Sequence, residues 1–129
     1  MSWLILQKIE AQSLLDAQAA LKRSLAQPEN EFTRNSSIQC FEFTLELAWK
    51  TTKRILEIYG EVASNARDTF RLAQKIKLVD SPETWFEYLE LRNKSSHTYK
   101  EEVAHEIYSK LGAFFKDVDQ LISRLKLLK

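Results

Sequence analysis

Two glycines and two prolines are all the chain-breaking residues that 129 positions contain, where average usage gives about fifteen. Hairpins, barrels and sandwiches need Gly, Asn or Pro at most of their corners. A chain with so few of them cannot turn often enough to be all-β. It can run in long helices joined by few turns. Seven Phe, four Tyr and three Trp within a chain that is 44% apolar supply one core and exclude disorder throughout. The length fits a single domain over 1–129.

Nineteen basic side chains against eighteen acidic ones leave a net charge of +1. No whole-molecule field therefore gathers nucleic acid or anionic lipid, and a polyanion site has to be a local patch. Cys40, the one cysteine, can form no internal disulfide and no cysteine-built zinc cage, which fits a reducing compartment. Within a Phe-rich helix it reads as a small buried hydrophobe. No stretch approaches the ~18 uncharged residues of a membrane span. Trp3 to Leu6 is too short for a secretory h-region. The expectation is a cytoplasmic protein without membrane contact.

Periodicity divides the chain into helices. From about Leu4 to Ala26, strong helix formers dominate, and Leu14, Ala17, Leu21 and Leu25 recur on one face. Pro28 and Asn30 stop that helix, with a polar loop from Gln27 to Asn35. The next segment, Ser36 to Tyr59, alternates with period two between Phe41 and Leu47, as a half-buried strand does. Yet Ile38, Phe41, Leu45, Ala48, Thr52, Ile55 and Tyr59 hold helical spacing, and no turn residue intervenes before Gly60. The segment is read as a helix, with Phe43, Leu47 and Trp49 widening its apolar face for packing on two sides.

A short helix follows from about Ala66 to Ile76. Ser81, Pro82 and Glu83 then supply an N-cap, a first-turn proline and an acid at the positive helix end. Thr98 and Glu101 have the spacing of a capping box that opens a last long helix. Its stripe is Val103, Ile107, Leu111, Phe114, Val118, Leu121, Ile122 and Leu125. The fold expected is all-α: an up-and-down four-helix bundle with one extra short helix. Phe114, Phe115 and the Leu-rich tail from Leu121 to Leu128 exceed one stripe. They are either core or the seam of a homodimer, and the Trp49 helix raises the same alternative.

The segment from Arg92 to Tyr99 is the most informative. Arg92 and His97 stand five residues apart, about 140° around a continuous helix, and so do not share a face. A fresh helix start at Thr98, with Asn93, Ser95 and Ser96 at the junction, turns both into one cleft. An imidazole there can take the proton of a 2′-hydroxyl or return one to a leaving oxygen. A guanidinium can hold the phosphate and its developing charge. That scheme for phosphodiester cleavage of RNA needs no metal or cofactor. On spacing alone, an Arg and a His so placed more often anchor a loop.

The pattern Arg92, Asn93, His97, Tyr99 after a Trp85-bearing helix resembles the Arg-x-x-x-x-His-x-Tyr signature of the HEPN superfamily. Gln39 to Lys50 (QCFEFTLELAWK) is similar to the corresponding helix of its nucleotidyltransferase substrate-binding, HepT-like branch. The resemblance covers most of the chain, roughly Leu14 to Leu121. The resemblance implies a four-helix homodimer that brings two Arg…His motifs into a shared cleft. It also implies a separately encoded minimal nucleotidyltransferase as partner, often as toxin and antitoxin. In one branch the helical protein cuts RNA without metal and is silenced by adenylylation of the motif tyrosine, here Tyr99. In the other it supplies the substrate site for the enzyme. Arg92 and His97 are the catalytic candidates; Asn93, Lys94, Tyr99 and Lys100 are supporting residues for RNA or nucleotide. The polar middle, Lys94 to Ser96, departs from many toxin members.

Other clusters carry blander readings. Lys94 and Lys100, with Arg67 and Arg71 of the short helix, either form a local basic patch or are solvated singly. Glu42 and Glu46, four apart, are paired carboxylates or the flank of a packed helix, with Lys50 as ion-pair partner of Glu46. His97, Glu101 and His105 have a spacing that can hold a metal, but Glu101 is claimed by the capping box, and no metal is assigned.

Overall fold

The computed structural model describes residues 11–128. The segment 1–10, which holds the expected start of the first helix at Leu4, lies outside the described residues. The helices are α1 (Gln12–Leu25), α2 (Glu31–Ile58), α3 (Ala66–Lys75), α4 (Pro82–Lys94), α5 (Glu101–Tyr108) and α6 (Leu111–Lys126), with a 3₁₀ turn at Ser95–His97. No strand occurs among the described residues. The period-two stretch Phe41 to Leu47 is helical because its buried members, Phe41, Thr44 and Leu45, share one stripe with Ala48. With α5 and α6 taken as one interrupted rod, α1, α2 and α4 complete the four-helix bundle and α3 is the extra short helix. No helix among the described residues is long and apolar enough to cross a membrane.

The core is tied together by aromatic rings from four helices. Phe41 of α2 meets Phe114 of α6 edge-on at 4.8 Å. Phe70 of α3 stacks on Trp85 of α4 at 4.8 Å. Tyr88, one turn along α4, meets Phe114 at 4.9 Å. Its hydroxyl donates to Asp117 of α6, and so satisfies a polar tip inside an apolar cluster. Phe114 therefore belongs to the core, as do Val118, Leu121, Ile122 and Leu125, whereas Leu127 is 75% exposed.

Three boundaries differ from the sequence expectation. The second helix starts at Glu31, five residues before Ser36, because Asn30 begins a helix instead of ending one. Its side chain accepts from the Thr33 amide at 3.0 Å, and Thr33 Oγ1 accepts from the Asn30 amide at 2.8 Å, a reciprocal cap. The last helix does not open with a Thr98 box: Lys100 occupies the N-cap without a side-chain cap bond. The Lys100 amide donates to the His97 carbonyl at 3.0 Å, which closes Thr98 and Tyr99 into a turn. The same rod is interrupted between α5 and α6. There Ser109 Oγ bonds back to the Glu106 carbonyl at 2.7 Å, a competitor of the helical ladder.

The helix stops are built as a matched pair. Gly60, at φ 81, lets the Glu61 amide reach Leu56 O at 2.9 Å and its own amide reach Glu57 O at 3.1 Å, satisfying carbonyls that α2 leaves open. Lys77 closes α3 with the same two bonds, Leu78 to Ala73 and Lys77 to Gln74, at φ 66 without being glycine.

Candidate functional site

Glu31, Asn35, Glu42 and Glu46 recur at i, i+4, i+11 and i+15 along α2 and therefore share one face of it. Residues of that face meet the junction between α4 and α5. Ser95, the buried residue of that junction, has its hydroxyl between the Glu42 carboxylate and the Arg92 carbonyl, 2.6 Å away. This bond pins the break in the chain to the middle of α2. The helix consequently ends at Lys94, and Arg92, Asn93, Lys94, Ser96, His97, Tyr99 and Lys100 all come out exposed.

Arg92 is held from the side. One Nη lies 3.3 Å from Glu46 Oε2, which also accepts from Trp49 Nε1 at 3.2 Å. Lys50 completes the group at 3.0 Å from Oε1, the i, i+4 pair expected for Glu46. Partial burial alone would raise the Glu46 carboxyl, but the bonds from Lys50 and Trp49 and the charge of Arg92 outweigh it and hold the group below its ordinary value. His97 has a different neighbour: its Nδ1 lies 3.4 Å from Tyr99 Oη, with the rings 5.9 Å apart and steeply inclined. The fold thus supplies the kink and presents both motif side chains to solvent. It pairs Arg92 with Glu46 and His97 with Tyr99, not with each other.

Beyond Tyr99 a hollow of about 480 Å³ opens between the start of α2 and the start of α5, lined by Glu31, Arg34, Asn35, Thr98, Tyr99, Glu101 and Ala104. Arg34 is oriented there by Glu29 at 3.2 Å. Glu29 also approaches His105 Nδ1 at 3.8 Å, and Glu101 approaches its other nitrogen at 3.5 Å. His97, Glu101 and His105 do not converge. Among the described residues no group of three His, Cys, Asp or Glu side chains is arranged to hold a metal.

Two members of the basic set around the motif are paired with acids. Lys94 pairs with Glu106 at 3.1 Å. Arg67 pairs with Glu90 at 2.9 Å, and the guanidiniums of Arg67 and Arg71 lie over the Phe86 ring at 4.8 and 5.1 Å. These two arginines brace α3 against α4. Lys100 is the motif-flanking cation without an ion-pair partner among the described residues. Cys40 is half-buried instead of sealed, with its thiol pushed up by burial, against the opposing charge of Arg23.

Sequence reasoning missed the links Glu46–Arg92 and Glu42–Ser95 and the Arg34–Asn35 wall of the hollow. The available signal was the one-face recurrence of polar residues on a helix whose other faces are apolar.

Residues 8–127 match the family described as "Nucleotidyltransferase substrate binding protein like". A protein of Haemophilus influenzae named "Probable ribonuclease HepT" is 32% identical over 98 residues, 70% of this chain. The chain spans 65% of that relative's length. Among solved structures, one from Thermus thermophilus superposes with a TM-score of 0.81 at 26% identity, over 87% of this chain and 98% of that one. A second, from Haemophilus influenzae, is described as revealing the fold of a substrate binding domain of a nucleotidyltransferase. It gives a TM-score of 0.79 at 26% identity, over 90% of this chain and 98% of that one.

Proposed function

The chain belongs to the nucleotidyltransferase substrate-binding-protein-like family, and from that premise we propose that it is the helical partner of a separately encoded minimal nucleotidyltransferase. In this reading it is itself a metal-independent endoribonuclease of toxin–antitoxin type, acting in the cytoplasm. The observation that carries the reading is the Ser95-anchored break, on either side of which Arg92 of α4 and His97 of the 3₁₀ turn are both exposed. The His97 imidazole removes the proton of a 2′-hydroxyl. The oxygen then attacks the adjacent phosphorus, and the 5′ oxygen departs with a proton. Arg92 bears the added negative charge of the transition state. In a homodimer the second copy's imidazole supplies the departing proton. Phe32 and Phe43, 80% and 55% exposed, share an outward stripe of α2 with half-buried Leu47 and support such an association. Tyr99, 71% exposed, is accessible for adenylylation by the transferase. Asn93, Lys94 and Lys100 contact the RNA backbone.

His97→Ala and Arg92→Ala are expected to lower RNA cleavage about a hundredfold or more and to abolish toxicity in cells, with helicity unchanged and EDTA without effect. Loss of folding in His97→Ala sinks the reading in favour of a structural motif.

The hollow beside Tyr99 favours one second reading, a non-catalytic subunit that presents substrate to the transferase. Its size falls within the ~300–1,000 Å³ of small-ligand sites. A purified protein that cuts no RNA yet binds a nucleotide, or co-purifies with the transferase carrying an unmodified Tyr99 peptide by mass, decides for it.

A further inference from the structure

Arg92 leaves α4 on an exposed side, where an arginine ordinarily samples many rotamers. It is instead docked on a carboxylate whose position does not depend on it. Glu46 is fixed from its own helix, by Trp49 Nε1 at 3.2 Å on Oε2 and by Lys50 at 3.0 Å on Oε1. Removing Arg92 would leave both oxygens still bonded, so Glu46 is a fixed post that the arginine comes to. The attachment uses one Nη, at 3.3 Å. A guanidinium carries five N–H donors in a rigid fork, and the Arg92 side chain keeps 43% of its surface open. A fork held by one prong therefore still has donors to offer.

We infer that Glu46 is a positioning residue for Arg92, holding the guanidinium by one nitrogen so that its remaining donors meet a phosphate of bound RNA. The inference rests on the ribonuclease reading above. Fixing the fork in advance removes the rotamer entropy that phosphate binding would otherwise have to freeze, and aims the donors where charge develops. Glu46 itself touches no substrate. A carboxylate that merely competed with phosphate for Arg92 would act in the opposite sense.

The test compares Glu46→Gln, whose amide oxygen keeps the Trp49 bond and a polar neighbour for Arg92 without the charge, with Glu46→Ala, which keeps neither. With a single-stranded RNA as substrate, Glu46→Ala is expected to lower kcat about tenfold or more with a smaller change in KM, and Glu46→Gln to restore part of that loss. If both variants cleave faster than the parent, or bind the RNA more tightly, Glu46 is a competitor and the inference is overturned. Side-chain ¹⁵N relaxation of Arg92 supplies a readout that needs no turnover. The Nε–H vector is expected to be restrained in the parent and in Glu46→Gln, and mobile in Glu46→Ala; an Arg92 equally mobile in all three overturns the positioning role. A parent protein that cuts no RNA while Arg92 stays restrained rejects the ribonuclease reading, and with it the use proposed for the post.

Discussion

Oε2 of Glu46 accepts a hydrogen bond from Trp49 on its own helix at 3.2 Å and, from the other side, forms an ion pair with Arg92 of α4 at 3.3 Å. The more informative motif residue is thus oriented from a helix more than forty positions away in sequence, through an acid that its own neighbours keep ionised.

That ionisation has a pH signature. The Glu46 carboxyl is held below its ordinary value of 4.5, so the folded state binds its proton less readily than the unfolded chain. The resulting stability is present above 4.5 and fades as pH falls through the lowered value. Parent and Glu46→Gln are expected to differ in thermal midpoint at neutral pH and to converge in acid, below the 4.5 of the unfolded chain. A difference that persists undiminished through acid would show that the charge plays no part.

Ser95→Ala removes the hydroxyl that pins the α4–α5 junction to Glu42. A hydrogen bond to a charged group contributes about 1.5–3 kcal/mol when its geometry is sound. Because Glu42 keeps access to water, the loss is expected at the lower end, about 1.5–2 kcal/mol by urea unfolding. Amide exchange between Lys94 and Lys100 should rise more than elsewhere.

Lys77 holds a left-handed backbone at φ 66 where α2 uses Gly60 for the same turn. With no Cβ to crowd the backbone, Lys77→Gly is expected to stabilise the fold by about 0.5–1 kcal/mol, read as a higher thermal midpoint. Gly60→Ala, at φ 81, should shift the midpoint the other way.

Burial, then the bond to Asp117 and the charges of Asp117 and Glu87, push the Tyr88 hydroxyl far above its ordinary value of 10.0. The folded state retains this proton where the unfolded chain gives it up, so stability is complete below 10 and declines as pH rises beyond it. Tyr88→Phe is expected to cost about 1–2 kcal/mol at neutral pH and to flatten the alkaline decline. Unfolding midpoints taken between pH 8 and 11 check both.

Most of the fold is written in spacing. The stripes of α2 and α6 name their own buried residues, and Ser81 with Pro82 marks the start of α4. Capping was harder to read, because Asn30 and Thr98 each have side chains compatible with a stop, a start or a turn. Asn30 starts a helix since Thr33 stands where it can return the bond. Thr98 does not, since the His97 carbonyl takes the Lys100 amide first. At the site, Arg92 and His97 were legible as a motif, and Lys50 as a partner of Glu46 at helical spacing. The pairs Glu46–Arg92 and Glu42–Ser95 were not, because sequence separation says nothing about which faces of two helices meet. The acids beside Lys94 and Arg67 were hidden for the same reason: Glu106 and Glu90 reach them from elements the sequence does not place beside them.

Because Asn35 and Glu46 ride on one uninterrupted helix, the hollow and the arginine post sit at a set interval. Asn35 and Glu46 are about 16 Å apart along the axis at 1.5 Å per residue. Whatever bridges Asn35 and Glu46 has to match an interval that α2 sets as a yardstick does.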